Sequence, residues 1–161
     1  MSADVPQVPE PVPLAPGQRL ARGVCRHLLG HGFATVEELV PAPGLRVDVM
    51  ALGPKGEVWV IECKSSRTDF ASDRKWQNYL QWCDRYFWAV DTAFPAEILP
   101  PETGLIVADD YDAAILRMGP LTPLAGARRK VMVQKFARHA ALRLQALRDP
   151  VAVGAISAFS P

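Results

Sequence analysis

The chain has 161 residues, of which 49% are apolar and 22% charged. That length suits one domain of roughly 100–150 residues with short extensions, and the composition excludes a disordered chain, a disulfide scaffold and, for want of a long apolar run, a bilayer-spanning helix. A formal charge of +1, taken as a single number, argues against a basic nucleic-acid binder, yet residues 1–111 carry 10 basic and 15 acidic side chains while residues 112–161 carry 8 basic and 2 acidic.

Residues 1–16 contain five prolines (Pro6, Pro9, Pro11, Pro13 and Pro16) and read as an extended arm. Helical spacing runs from Gln18 to His31, with Leu20, Val24 and Leu28 four apart and Gly30 and Gly32 as stop signals. Three strands follow at 33–40, 46–52 and 57–64, separated by the turns Pro41-Ala42-Pro43-Gly44 and Gly53-Pro54-Lys55-Gly56. Connections this short predict an antiparallel meander. Ser72 or Asp73 is expected to cap a helix whose stripe is Trp76, Tyr79, Leu80 and Cys83. Residues 86–90 read as a buried strand, and 105–108 and 113–117 as two more around the turn Asp109-Asp110-Tyr111-Asp112. The last element is a helix over 128–147 with Val133, Phe136, Ala137, Ala140, Leu144 and Leu147 on its apolar face. Arg128, Lys135, Arg138, His139 and Arg143 lie away from that face.

The order predicts an α/β domain over residues 17–150. Its central sheet is mixed, an antiparallel three-strand meander plus a crossover strand, flanked by helices. Residues 151–161 form a C-terminal tail. Cys25, Cys63 and Cys83 are widely spaced and no secretory signal precedes them, which fits a reduced, cytoplasmic protein.

The second and third strands are apolar on both faces, so an ionised group on either is costly unless it is paired. Asp48 shares its face with Met50 and Leu52, and Glu62 and Lys64 share theirs with Val58 and Val60. A three-residue loop with Gly56 left-handed sets Asp48 opposite Glu62. A five-residue loop over Pro41–Leu45 sets Glu38 opposite Asp48. Directly opposed residues have Cβ atoms about 4.5–5.5 Å apart, so three carboxylates in a row need a cation or a shared proton. Hard oxygen donors suit Mg²⁺ or Mn²⁺. Lys64 on the same side can orient or deprotonate a water, or neutralise developing charge. A purely structural Glu62–Lys64–Asp48 ion-pair network fits the same spacing.

Asp48, thirteen intervening residues and then Glu62-Cys63-Lys64 resemble the PD-(D/E)XK nuclease superfamily. More narrowly, LRVDVMAL followed by VIECKSSRTDFASDRKWQNYLQWCDRYFWAV is similar to the MmcB-type family of bacterial DNA repair proteins, over about residues 33–91. The resemblance implies a restriction-endonuclease-like core. It implies that Asp48, Glu62 and the carbonyl of Cys63 bind the divalent metal and that Lys64 positions the attacking water. It matches Glu38 to an additional acid, and Lys75 and Tyr79 to auxiliary polar positions. Two departures stand out: the first acid lies in Arg46-Val47-Asp48 and not in a Pro-Asp pair, and Cys63 replaces the usual aliphatic residue.

The expected function is metal-dependent hydrolysis of DNA phosphodiester bonds in repair. Arg128, Lys135, Arg138 and Arg143 on the last helix would follow the phosphate backbone. The alternative is a catalytically silent module with the same fold that binds DNA or recruits a repair or replication protein. RNA is disfavoured, because no exposed aromatic platform is visible. The expected assembly is a monomer or homodimer without membrane contact.

Overall fold

The computed structural model describes residues 12–152. The order is α1 (Pro16–Gly30), β1 (Ala34–Leu39), β2 (Val47–Leu52), β3 (Val58–Cys63), α2 (Arg67–Ser72), a 3-10 helix (Trp76–Trp82), β4 (Arg85–Val90), a 3-10 turn (Ala96–Ile98), β5 (Gly104–Ala108), β6 (Ala113–Arg117) and α3 (Gly126–Arg148). The arm through residue 11 and the tail from residue 153 lie outside the described residues.

The six strands form one sheet in sequence order. β1, β2 and β3 are antiparallel, β3–β4 and β4–β5 are parallel, and β5–β6 is antiparallel. This is a mixed α/β open sheet with flanking helices, consistent with a restriction-endonuclease-like fold. Both expected registers hold. Val49 faces Ile61 and Met50 faces Val60, so Asp48 stands level with Glu62, and Gly56 takes the left-handed φ of 85° that closes the β2–β3 turn.

Each face of the sheet is covered. α1 packs Leu20, Ala21, Val24 and Leu28 against Val49, Ala51, Ile61, Phe87 and Ile106. On the other face Met50, Val58, Val60 and Trp88 meet Tyr79 and Cys83 from the 3-10 helix and Met132 and Phe136 from α3. β3 and β4 are therefore central strands, and their near-continuous apolar runs follow from burial on both sides. Val47 packs on the α3 side near its partner Leu39.

Two expectations need correction. The helix after β3 starts earlier, with Ser66 Oγ accepting from Asp69 N at 3.1 Å, and it stops at Ser72. The backbone is extended at Asp73, and Asp73 Oδ1 then accepts from Lys75 N (2.9 Å) and Trp76 N (3.1 Å) to open the 3-10 helix. Asp73 is thus a cap, but of a second helical segment. α3 buries Met132 and Phe136 and leaves Leu144 and Leu147 exposed, because its last turns run past the sheet. Asp84 pairs with Arg129 across to α3, while the guanidinium of its neighbour Arg85 reaches the Gly119 carbonyl.

Candidate active site

Asp48 and Glu62 sit on adjacent central strands, and each is locked to the other's strand. The Asp48 N–H donates to Glu62 Oε1 at 3.1 Å, and the Cys63 N–H donates to Asp48 Oδ2 at 2.7 Å. These reciprocal bonds fix both side chains without mobile partners. Glu62 is only 4% exposed. Burial first, and the Asp48 charge second, push its carboxyl up to about 8, against the opposing pull of the Asp48 N–H. Burial also raises Asp48, opposed by the Cys63 N–H and the Lys64 charge.

Lys64 leaves the end of β3 on the same side and is 8% exposed. Its Nζ lies 2.9 Å from Asp73 Oδ2 and 3.9 Å from Asp69 Oδ1, and 5.9 Å from the Trp88 ring centre. Burial opposes its charge, but the Asp73 hydrogen bond and the fields of Asp73, Asp69 and Glu62 outweigh it, so the ammonium is held more firmly than usual. Among the described residues neither Asp48 nor Glu62 has a salt-bridge partner, Lys64 included.

The expected third carboxylate is displaced. Glu38 stands at the register position opposite Asp48, but its φ of 59° breaks the alternation of β1. Val36 and Leu39 both turn toward the α3 side, and the Glu38 carboxylate, half exposed, lies 3.8 Å from Arg143. Cys63 points its side chain into the α1 layer, where burial pushes the thiol well above its ordinary range, so only its backbone faces the carboxylates' chemistry. Tyr79 donates its hydroxyl to the Arg46 carbonyl at 3.0 Å, and burial raises its phenol to about 12. It anchors the start of β2, two residues before Asp48. Lys75 is exposed and reaches the Gly44 carbonyl at 3.5 Å.

A depression of about 260 Å³ opens over this site, lined by Glu62, Lys64, Asp73, Arg74, Lys75 and Tyr79. Arg74 is the cation that sequence reasoning missed. The sequence pattern places it in the first turn of one continuous helix, and the extended backbone at Asp73 turns it to the rim. The α3 cations are largely engaged elsewhere. Lys135 Nζ donates to the carbonyls of Val40 (3.1 Å) and Pro41 (2.8 Å), Arg128 lies over the Trp82 ring at 5.5 Å, and Arg143 faces Glu38. Arg138 is exposed and has no ion-pair partner among the described residues.

The donor set fits a hard divalent cation. Two carboxylates stand together in a site that disfavours their joint ionisation, and Asp48 Oδ1 and Glu62 Oε2 accept no hydrogen bond from the described residues.

Fold and site together define an α/β protein with a covered mixed sheet that carries two acids and a lysine at the ends of adjacent central strands. The chain belongs to the MmcB-like family: the family model described as DNA repair protein MmcB-like matches residues 16–151. Among solved structures it is similar to the SPO1766 protein of unknown function from Silicibacter pomeroyi, at 73% identity and a TM-score of 0.85, over 86% of this chain and 95% of that one. No curated protein matches the sequence. No helix among the described residues is long and apolar enough to cross a membrane.

Proposed function

We propose that this DNA repair family member is a PD-(D/E)XK-type, divalent-metal-dependent hydrolase of DNA phosphodiester bonds. The observation that supports the reading most directly is the pair of reciprocal backbone bonds that hold Asp48 and Glu62 side by side, with Lys64 on the same face. Asp48, Glu62 and the Cys63 carbonyl would hold Mg²⁺ or Mn²⁺. When bound, such an ion supplies a Lewis acid for a phosphoryl oxygen. The chain's own contribution is positioning and charge. Lys64 offers a fixed ammonium to the negative charge that develops on the phosphate. Arg74 and Lys75 at the rim of the depression draw the phosphate backbone inward. Tyr79 holds the β2 start, and with it Asp48, in place.

The test is cleavage of single-stranded, nicked and branched DNA with Mg²⁺ or Mn²⁺ supplied. Divalent-dependent strand scission that is lost in Glu62→Ala supports the reading, and cleavage by Glu62→Ala at the wild-type rate overturns it. One observation favours a second reading, a DNA-binding module that does not cut: the Lys64 charge already has a carboxylate partner at 2.9 Å. Under that reading wild type binds DNA without cutting it, and Lys64→Ala leaves binding unchanged.

A further inference from the structure

Asp73 divides its carboxylate between two tasks. Oδ2 holds Lys64 Nζ at 2.9 Å, while Oδ1 accepts the N–H groups of Lys75 (2.9 Å) and Trp76 (3.1 Å). Asp69 stands behind it, 3.9 Å from the same ammonium, with its other oxygen taking the Ser65 N–H at 3.2 Å. Lys64 is therefore bracketed by two acids from the segment after β3. The acids beside it on the sheet, Asp48 and Glu62, have no salt-bridge partner among the described residues. Lys64 lies only two residues beyond Glu62 on the same face of the sheet, so without that bracket the nearest acids lacking an ion-pair partner among the described residues are the β2–β3 pair. Opposite charges brought together in a poorly solvated site attract strongly.

We propose that Asp73 is a positioning residue that keeps Lys64 off the Asp48–Glu62 pair and so leaves that pair open to a divalent cation. The inference rests on the reading of Asp48 and Glu62 as cation ligands. Lysine and metal compete for the same two carboxylates, and Asp73 decides the competition by giving the lysine a better-placed partner. The same carboxylate fixes the first turn of the 3-10 helix, which sets Arg74 and Lys75 on the rim of the same depression. Asp69, farther from Nζ, plays the lesser part.

The experiment measures Mn²⁺ binding by titration calorimetry and by loss of the free-Mn²⁺ paramagnetic resonance signal, on the full chain without DNA. Wild type, Glu62→Ala, Asp73→Asn, Asp69→Asn, Lys64→Met and the double variant Lys64→Met/Asp73→Asn are compared. Asparagine keeps the acceptor that caps the 3-10 helix and removes the charge that holds Lys64. Asp73→Asn is expected to bind Mn²⁺ about tenfold more weakly, the size of effect one partly screened competing ion pair can exert. Asp69→Asn should fall between Asp73→Asn and wild type. Removing the lysine should repair the loss, so that the double variant returns close to Lys64→Met. A purely structural role for Asp73 would not be rescued by a second substitution. If Asp73→Asn binds as wild type does, or if the double variant is no better than Asp73→Asn, the proposal is overturned while the cation site stands. If wild type takes up no Mn²⁺, or Glu62→Ala takes up as much, both the cation site and the proposal fall.

Discussion

Asp84 and Arg129 join β4 to α3 through two charge-assisted hydrogen bonds, Nη2 to Oδ1 at 2.6 Å and Nη1 to Oδ2 at 2.8 Å. The carboxylate is 4% exposed and also accepts the N–H groups of Val58 (2.8 Å) and Leu124 (2.7 Å). One side chain thus ties β3, β4, the segment before α3 and α3 itself.

Removing it should be severe. Asp84→Ala leaves the Val58 and Leu124 N–H groups and the one-third-exposed Arg129 guanidinium without their partner, and each orphaned buried donor costs about 1–3 kcal/mol. Burial opposes the Asp84 charge, but Arg129 and the two N–H groups outweigh it and hold the carboxyl below its ordinary range. Its contribution is therefore complete above about pH 4, the unfolded value, and fades as pH falls through the lower folded value. Urea melts of wild type and Asp84→Ala should differ most at neutral pH and converge in acid. A constant gap down to the acid transition would show that the lost stability is packing and not charge.

Glu62 has the opposite sign. Its folded carboxyl titrates near 8 against an ordinary 4.5, chiefly because it is buried and next because Asp48 stands beside it. The folded state holds that proton more tightly, so stability falls as pH rises from about 4.5 to about 8. Glu62→Gln keeps an acceptor for the Asp48 N–H and removes the charge. In metal-free buffer it should melt higher than wild type, with a gap that grows across that window and levels off above it. Adding Mn²⁺ should raise wild type and leave the variant unchanged. A gap independent of pH would mean that Glu62 is not strained by ionisation.

Gly23 lies inside α1, where alanine is ordinarily preferred by about 1 kcal/mol. Here a Cβ would meet the backbone oxygens of Asp109 at 2.0 Å and Asp112 at 2.7 Å. The β5–β6 turn rests directly on the helix, and neither oxygen belongs to a side chain that can swing aside. Gly23→Ala should therefore destabilise the fold by about 1–3 kcal/mol, as overpacking does, despite the better helix former. Thermal melting decides it, and an unchanged or higher Tm would show that the turn yields freely.

The sheet was legible because its signals are local. Turn lengths set both hairpin registers, two-sided apolar runs marked the central strands, and the level placement of Asp48 and Glu62 followed from both. What failed depended on backbone events with no periodic signature. The left-handed Glu38 turns an expected third acid to the surface, where Arg143 meets it. The extended Asp73 splits one expected helix into two, and only that break brings Asp73 to Lys64 and Arg74 to the rim. The charge asymmetry was visible as well, but not its use. Part of the basic surplus on α3 docks the helix along β1, where Lys135 and His139 reach backbone carbonyls.

That docking makes a distinction between two sets of cations. Arg74 and Lys75 border the depression over Glu62 and Lys64, and Arg138 is exposed without an ion-pair partner among the described residues. Arg143 already faces Glu38 at 3.8 Å, and Lys135 donates to Pro41 O at 2.8 Å. Each phosphate that a duplex complex no longer neutralises reduces the slope of log affinity against log salt by about 0.9. Arg74→Ala/Lys75→Ala should therefore flatten the slope by about 1.8 if both side chains reach phosphates. Arg143→Ala should leave the slope almost unchanged, because that cation is already engaged. Fluorescence anisotropy of labelled duplex across a salt series measures both. A flattening by Arg143→Ala equal to that of one rim residue would mean that the Glu38 pair opens on DNA, and would put the phosphate track along α3 instead of over the acid pair.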